Sequence, residues 1–255
     1  MLVSTDAIVL RSMKYGETSK IVTLYSKKFG KIKVIAKGAR SAKSKFGASL
    51  EPMTHSSALF YKKEQRELHL LSKCEISRPI FKFGDDGDKL AVGLALVELV
   101  NQVMHDEEEN LPMFSLLVDA LEAVDRAAGN LLNIFFAFEL RLLEIFGYGL
   151  DLRACARCGR DVVEGEHGGG SYILLASGSV MCPGCHAELR SGGIKASKGI
   201  VRLLVQFQSL PISAVGDLKV PPPVKDEILG LLQTYLQYHI AGVRTLKSLS
   251  LFTSL

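Results

Sequence analysis

The chain has 255 residues, of which 47% are hydrophobic and 23% are charged, with a formal net charge of +4. This length suits one or two globular domains, and the composition excludes disordered and collagen-like chains. The small net charge conceals a division, because residues 1–80 carry a local charge of +10, residues 81–149 carry −9 and residues 150–255 carry +3. A basic first third followed by an acidic stretch indicates a polyanionic partner for the N-terminal part.

The sequence predicts neither a membrane span nor a secreted protein. Its longest apolar stretch, residues 90–100, is too short to cross a bilayer and contains Glu98. The N-terminus has no basic start followed by a long apolar segment, which is the pattern of a signal peptide. Five cysteines, an odd number, argue against a disulfide framework. We therefore expect a cytoplasmic protein that does not associate with membranes.

Alternating polar and apolar residues fill the first 80 positions and predict five short β-strands. The expected strands are residues 3–14, 20–26, 30–37, 57–62 and 67–76. Closing such a sheet removes its exposed edges, so these strands favour a small closed barrel.

After Pro79 the apolar period lengthens to that of α-helices. Helices are expected over residues 88–104, after the caps Asn110 and Asn130, and over residues 197–208 and 224–240. The acidic run 106–109 is expected to be a solvated loop between two helices. The second part of the chain is therefore mainly helical.

Residues 151–193 interrupt the helical pattern with two Cys-x-x-Cys pairs. This segment holds 9 of the 23 glycines and few large apolar residues, so it cannot build its own core. The two pairs are separated by 23 residues, and two such knuckles can surround one zinc ion with four thiolates. The predicted ligands are Cys155, Cys158, Cys182 and Cys185. A closed shell of four thiolates leaves no position for a catalytic water, so the predicted zinc is structural.

Other uses of the cysteines fit less well. Unmetallated thiols and a redox pair remain alternatives to zinc. The sequence from Cys182 to His186 also matches a haem-attachment motif, but haem would need export and an axial partner, and it leaves the first cysteine pair unexplained. Cys74 stands alone in an apolar strand and is expected to be a small buried hydrophobe.

A basic loop follows the third predicted strand. It has four cations within nine residues, small residues between them and no carboxylate before Glu51. Flexible cations can follow a phosphate backbone and release its counterions, so Lys37, Arg40, Lys43 and Lys45 are candidate nucleic-acid contacts. Arg11, Lys14 and Lys33 belong to a wider basic field on the strands. Six interleaved aromatics could stack on bases if exposed, although a core role is favoured for each: Tyr15, Tyr25, Phe29, Phe46, Phe60 and Tyr61.

Enzyme motifs are missing from the sequence. It contains no Walker loop, no G-x-G-x-x-G and no G-x-S-x-G nucleophile elbow. We therefore expect a binding protein and not an enzyme.

Several stretches together resemble the bacterial RecO family of recombination mediators over essentially the whole chain. In the first 80 residues they are Ala7-Ile-Val-Leu-Arg11, the segment from Tyr15 to Tyr25, Phe29-Gly-Lys-Ile32, Lys37-Gly-Ala-Arg40 and Glu51-Pro52. Later in the chain they are Gly147-Tyr-Gly-Leu-Asp-Leu152, the first cysteine pair, and Cys182-Pro-x-Cys185.

The resemblance implies an α+β protein with an oligonucleotide/oligosaccharide-binding (OB) barrel over residues 1–80. A mainly helical domain follows over residues 81–255, with a zinc-ribbon-like insertion at 151–193 and one structural zinc on the four cysteines. The basic loop matches the family's DNA-contacting loop at Lys37, Arg40, Lys43 and Lys45.

The resemblance also implies a function in recombinational DNA repair. The family binds single- and double-stranded DNA, anneals complementary strands, and works with RecR to load RecA onto DNA coated by single-stranded-DNA-binding protein (SSB). The C-terminal tail of SSB is expected to bind the helical domain, RecA is an indirect partner, and the protein is expected to be nucleoid-associated. Two alternatives stay open: a zinc-stabilised protein-interaction adaptor without annealing activity, and RNA binding through the same barrel.

Overall fold

The computed structural model describes residues 1–63, 66–77, 86–165, 170–189 and 192–251. The predicted domain boundary after residue 80, and part of the 151–193 insertion, lie outside the described residues. The chain forms two compact units, one of residues 1–126 with the described residues from 246 onward, and one of residues 127–245. Within the described ranges, no helix is long and apolar enough to cross a bilayer.

Five strands close into a barrel in the first unit, as the alternation predicts. They are β1 (Leu2–Tyr15), β2 (Ser19–Ser26), β3 (Gly30–Ala36), β4 (His55–Tyr61) and β5 (Leu68–Ile76). Their order around the barrel is β1-β2-β3-β5-β4. The parallel pairing of β3 with β5 closes the barrel, and the other four pairings are antiparallel. Each predicted strand lies within two residues of the observed bounds.

The barrel core contains one face of every strand. Val22, Val34 and Phe60 are fully buried in it, and Phe46 and Leu50 from the loop after β3 pack into the same cluster. This loop is therefore anchored to the core by apolar side chains. Cys74 is also buried there, and burial raises the pKa of its thiol, which confirms its prediction as a small hydrophobe.

Two helices complete the first unit, α1 (Gly87–Val103) and α2 (Leu111–Arg126). Asn110 Oδ1 accepts a hydrogen bond from the backbone N–H of Met113 at 2.9 Å, so the predicted cap of α2 is confirmed. Glu98 of α1 accepts hydrogen bonds from the backbone N–H groups of Lys247 and Ser248 and from the Ser248 hydroxyl. These hydrogen bonds hold Lys247 and Ser248 against α1.

The second unit combines helices with a small sheet. In chain order its elements are α3 (Leu131–Ile145), β6 (Asp151–Cys155), β7 (Ser171–Ile173), β8 (Ser179–Met181), α4 (Pro183–Leu189), β9 (Ile194–Ala196), α5 (Lys198–Ser209) and α6 (Pro222–His239). The strands form one sheet in the order β6-β8-β7-β9. Ser197 caps α5 by accepting a hydrogen bond from the N–H of Ile200 at 3.2 Å.

Asn130 occupies the predicted N-cap position of α3 but does not cap the helix with its side chain. Asn130 lies at the N-terminus of the helix, but its backbone is left-handed, with φ of 52°, and its side chain makes no capping bond. Its amide instead donates to the carbonyl oxygen of Gly216 at 3.0 Å. The side chain therefore serves a tertiary contact, which the local sequence pattern does not reveal.

Candidate nucleic-acid interface and metal site

The basic loop between β3 and β4 is tied to the turn between β1 and β2. Arg40 forms this tie, because its backbone N–H donates to the carbonyl oxygen of Thr18 at 2.8 Å. Its Nη1 donates to the carbonyl oxygens of Gly16 and Glu17 at 3.0 and 2.9 Å. A guanidinium has five N–H donors, so the turn uses only part of this group. Arg40 therefore positions the loop and remains a predicted phosphate contact.

The three lysines of the loop are exposed. Lys37, Lys43 and Lys45 all lie on its surface, while Phe46 is buried in the barrel core. Lys45 Nζ lies 5.3 Å from the centroid of the Phe46 ring, within the range of a cation–π contact. The loop is thus held at Arg40 and Phe46 and presents its lysines to solvent. Fixing the backbone in advance lowers the entropy that a ligand would otherwise have to remove.

The three predicted contacts outside the loop lie on strands. Arg11, Thr23 and Lys33 are neighbours across β1, β2 and β3, and Arg11 and Lys14 are exposed. Lys33 differs, because its Nζ lies 2.7 Å from Oδ2 of Asp106. The hydrogen bond to this carboxylate raises the pKa of Lys33.

The acidic run at residues 106–109 is an exposed loop between α1 and α2, which confirms its prediction, and two of its carboxylates also pair with the barrel. Asp106 also lies 3.4 Å from Lys31 Nζ, and Glu107 lies 2.9 Å from Lys62 Nζ and 3.2 Å from His69 Nε2. The hydrogen bond from Lys62 lowers the pKa of Glu107. Partial burial opposes ionisation of Asp106, but the neighbouring lysines lower its pKa as well. Asp106 and Glu107 therefore pair with basic side chains of the barrel, although the loop itself is exposed.

Backbone contacts fix the same acidic run in place. The N–H of Glu107 donates to the carbonyl oxygen of Lys31 at 2.8 Å. Gly30 has φ of +61°, and a Cβ built on it would lie 1.9 Å from the carbonyl oxygen of Glu108. Only glycine permits both this left-handed conformation and this close approach without strain. The close approach at Gly30 and this backbone hydrogen bond therefore hold the acidic run against the barrel, in addition to the ion pairs.

The six aromatics of the barrel divide between core and surface. Tyr25, Phe46 and Phe60 are buried, which confirms the core role favoured for them, and Phe29 packs against the core as a partly buried side chain. Tyr15 and Tyr61 are exposed, so the core role favoured for these two is wrong. Two aromatic side chains are therefore available on the surface of the barrel.

The four cysteines of the insertion come together in the second unit. Cys155 ends β6, Cys158 lies in the turn that follows, and Cys182 and Cys185 lie at the start of α4. Their sulfur atoms all lie within 4.8 Å of one another, and Sγ of Cys158 is 3.9 Å from Sγ of Cys182. A zinc tetrahedron with bonds of about 2.3 Å has edges of about 3.8 Å. The donor set and its spacing therefore fit a four-coordinate metal ion.

Ionisation of these thiols also fits a cation site. Burial opposes ionisation of Cys155, but backbone N–H groups of Cys158, Cys182 and Arg157 lower its pKa to about 6. Contact with the Cys182 thiol, together with desolvation and the other cluster sulfurs, raises the pKa of Cys185 to about 12. One thiolate thus forms readily while a second is opposed by its neighbours. A bound dication removes this opposition, because metal-bound thiols are deprotonated.

The barrel and its strand order define the fold class of the N-terminal part as an OB fold, joined to a helical region that carries a thiol cluster. Residues 1–80 match the family model described as "Recombination protein O N terminal". Residues 84–250 match the model described as "Recombination protein O C terminal". The chain belongs to the RecO family.

Relatives that match most of the chain agree with this assignment, and the three that follow are each named DNA repair protein RecO. The protein of Salinibacter ruber is 34% identical over 238 residues, which cover 93% of this chain and 88% of the relative. The protein of Alkaliphilus metalliredigens is 30% identical over 244 residues, or 95% and 96% of the two chains. That of Chloroherpeton thalassium is 27% identical over 267 residues, or 100% and 99%. The family resemblance inferred from the motifs is confirmed.

Proposed function

We propose that this protein binds DNA through its barrel and anneals complementary single strands in recombinational DNA repair. Membership of the RecO family supports a role in DNA repair. The observation that carries the DNA-binding part is the loop after β3. Its lysines Lys37, Lys43 and Lys45 are exposed, and its backbone is fixed by Arg40 and Phe46. Arg11 and Lys14 extend this surface along β1.

The mechanism needs no covalent step, and we propose that the protein is not an enzyme. Complementary strands repel each other through their phosphates, and each phosphate neutralised by a lysine or arginine releases counterions. Lower repulsion raises the rate at which two strands meet. Base pairing then selects the partner, so the protein itself needs little sequence preference. The same phosphate contacts allow binding of double-stranded DNA.

We infer that one structural zinc ion binds Cys155, Cys158, Cys182 and Cys185. The zinc would neutralise the thiolates and cross-link β6, the following turn and α4. Folding of this glycine-rich segment would then depend on the metal, since apolar burial alone is small there.

The partner proteins follow from the family resemblance. We propose that the protein acts with RecR to load RecA onto SSB-coated single strands, and that its helical region binds the C-terminal tail of SSB. RecA is then an indirect partner. The protein would act in the cytoplasm, close to the nucleoid.

Strand annealing by the full chain tests this function. Two complementary labelled oligonucleotides, with and without bound SSB, are mixed with wild-type protein or with the triple variant Lys37→Ala/Lys43→Ala/Lys45→Ala. We expect wild-type protein to accelerate annealing and the variant to lose most of the acceleration. A wild-type rate equal to that of the DNA alone would refute the proposal.

A protein-interaction adaptor is the second candidate. The observation in its favour is the pairing of Lys31, Lys33 and Lys62 with Asp106 and Glu107, which reduces the positive charge that the barrel offers to DNA. An adaptor would show no annealing in the same assay but would still bind its partner protein.

A further inference from the structure

A continuous row of apolar side chains runs around the outside of the barrel. The strand register makes its members neighbours, with one or two contributed by each strand. In order across the sheet they are Met13, Ile21, Ile35, Leu70, Tyr61 and Leu2. Four are exposed by 38–48%: Met13, Leu70, Tyr61 and Leu2. The two isoleucines are half-buried.

This row is separate from the barrel core. The inward positions of β2 and β3 hold Val22, Leu24, Ile32 and Val34, so the alternation places Ile21 and Ile35 on the opposite, outer face. A protein surface rarely carries a contiguous apolar patch without a contact to make. The row is therefore a candidate contact surface for a partner that offers apolar groups.

Cations flank the row on both sides. Arg11 and Lys33 stand two residues before Met13 and Ile35 on the same strands, and Lys37 stands two residues after Ile35. Two residues along a strand correspond to about 7 Å. Lys33 is paired with Asp106 at 2.7 Å, and Glu67 also acts on it, so Arg11 and Lys37 are the more available cations. An apolar row bordered by cations fits a polymer with flat apolar groups on an anionic backbone.

We propose that this row binds the unpaired bases of single-stranded nucleic acid while the flanking cations bind its phosphates. This inference rests on the proposed DNA binding and adds a second kind of contact to it. Stacking on aromatic side chains such as Tyr61 tolerates any base, because every base has a flat π-face. In a duplex the same faces are covered by neighbouring base pairs, so the row discriminates single strands from duplexes. The outside of a barrel is convex, whereas the anchors of peptide partners bind in enclosed pockets.

The test compares three probes of equal length with the full chain, by fluorescence anisotropy. They are oligothymidylate, an abasic sugar–phosphate strand and a duplex. The abasic strand keeps the phosphates and removes the bases. We expect wild-type protein to bind oligothymidylate about tenfold more tightly than the abasic strand, and Tyr61→Ser/Leu70→Ser to lose this preference while its affinity for the abasic strand and the duplex is unchanged.

The matched control is Tyr238→Ser/Leu251→Ser, which makes the same exchanges at side chains exposed by 56% and 60% outside the barrel. It should keep the preference. Photocrosslinking of wild-type protein with a halogenated thymidine strand does not depend on the folding of any variant. We expect adducts on β1, β4 or β5.

Each outcome decides a different claim. Equal wild-type affinity for oligothymidylate and the abasic strand would overturn the inference while leaving the proposed DNA binding intact. The inference would also be overturned by an unchanged preference in the double variant, or by crosslinks that all lie outside the barrel. Either result would indicate that the row binds a protein partner instead. No binding of any probe would refute the proposed function itself.

Discussion

Lys33 Nζ lies 2.7 Å from Oδ2 of Asp106, so a cation that the sequence assigns to DNA has a partner within the protein. The same carboxylate lies 3.4 Å from Lys31. Asp106 belongs to the acidic run between α1 and α2, which contacts the barrel beside β3. A phosphate that approaches these two lysines meets the negative charge of this carboxylate.

Neutralising Asp106 is expected to strengthen DNA binding. In Asp106→Asn, Lys31 and Lys33 keep their charge and lose their internal partner, so we expect affinity for a single strand to rise about two- to fivefold at low salt, in line with the modest energies of exposed ion pairs. Asp226→Asn makes the same change at an exposed position of α6 and should raise affinity less. Equal effects in a titration followed by anisotropy would show that only net charge matters.

Gly30 is expected to be essential for the packing of the acidic run against the barrel, and so for the stability of the fold. Gly30→Ala places a methyl group 1.9 Å from the carbonyl oxygen of Glu108, whereas Gly16, with a similar φ of +57°, has nothing within 4 Å. Both substitutions incur a left-handed backbone cost of about 1 kcal/mol. Gly30→Ala should lose about 1–3 kcal/mol more from steric conflict. The free energy of unfolding in urea measures both, and equal losses would contradict this account of the contact.

Metal binding is expected to stabilise the second unit. Cys158 is exposed, so Cys158→Ser removes a ligand with little change in packing. We expect native mass spectrometry to find one zinc per wild-type chain and none in the variant, and we expect chelation to lower the thermal midpoint of the wild type. Cys74→Ala, in the barrel core, should keep the zinc. A fully folded wild-type protein without metal would refute the four-thiolate site.

Glu139 is expected to make stability depend on pH. Burial raises the pKa of its carboxyl to about 8, so the folded protein holds this proton more tightly than the unfolded chain does. The stability that this proton provides is present below the unfolded pKa of about 4.3 and is lost as pH rises toward 8. Glu139→Gln should remove the dependence and gain roughly 2–4 kcal/mol near pH 7.

The control for Glu139 is Glu144→Gln, which changes an exposed carboxylate of the same helix. It should leave the pH profile of unfolding unchanged. If Glu139→Gln keeps the wild-type slope between pH 5 and 8, its carboxyl does not carry this dependence.

Local patterns predicted the strands and the cysteine cluster because both depend on short-range spacing. Alternation within each strand gave the barrel, and Cys-x-x-Cys knuckles placed the sulfurs of Cys155 and Cys158 beside those of the second pair. On β2, however, Ile21 and Tyr25 alternate with Val22 and Leu24. Both faces are apolar, so alternation alone could not identify the outer row.

Contacts between distant segments explain what the sequence did not predict. Arg40 reaches the turn at Gly16 only because the barrel brings β2 beside β3. Asn130 donates to Gly216, which is 86 residues away in the chain. The ion pair of Lys33 with Asp106 spans 73 residues. Charge runs and cap residues predict solvation and local bonding, but they do not reveal partners that lie far away in the chain.

The salt dependence of DNA binding tests the central claim most directly. Affinity for a single strand is measured against salt concentration for wild-type protein, for Lys37→Ala/Lys43→Ala/Lys45→Ala, and for the control Lys195→Ala/Lys219→Ala/Lys225→Ala, whose lysines belong to the second unit. Each lost phosphate contact lowers the slope of log affinity against log salt by about 0.7. We predict that the loop variant loses about 2 from the slope and the control loses much less. Equal slopes for the two variants would contradict the claim that the barrel loop contacts the phosphate backbone.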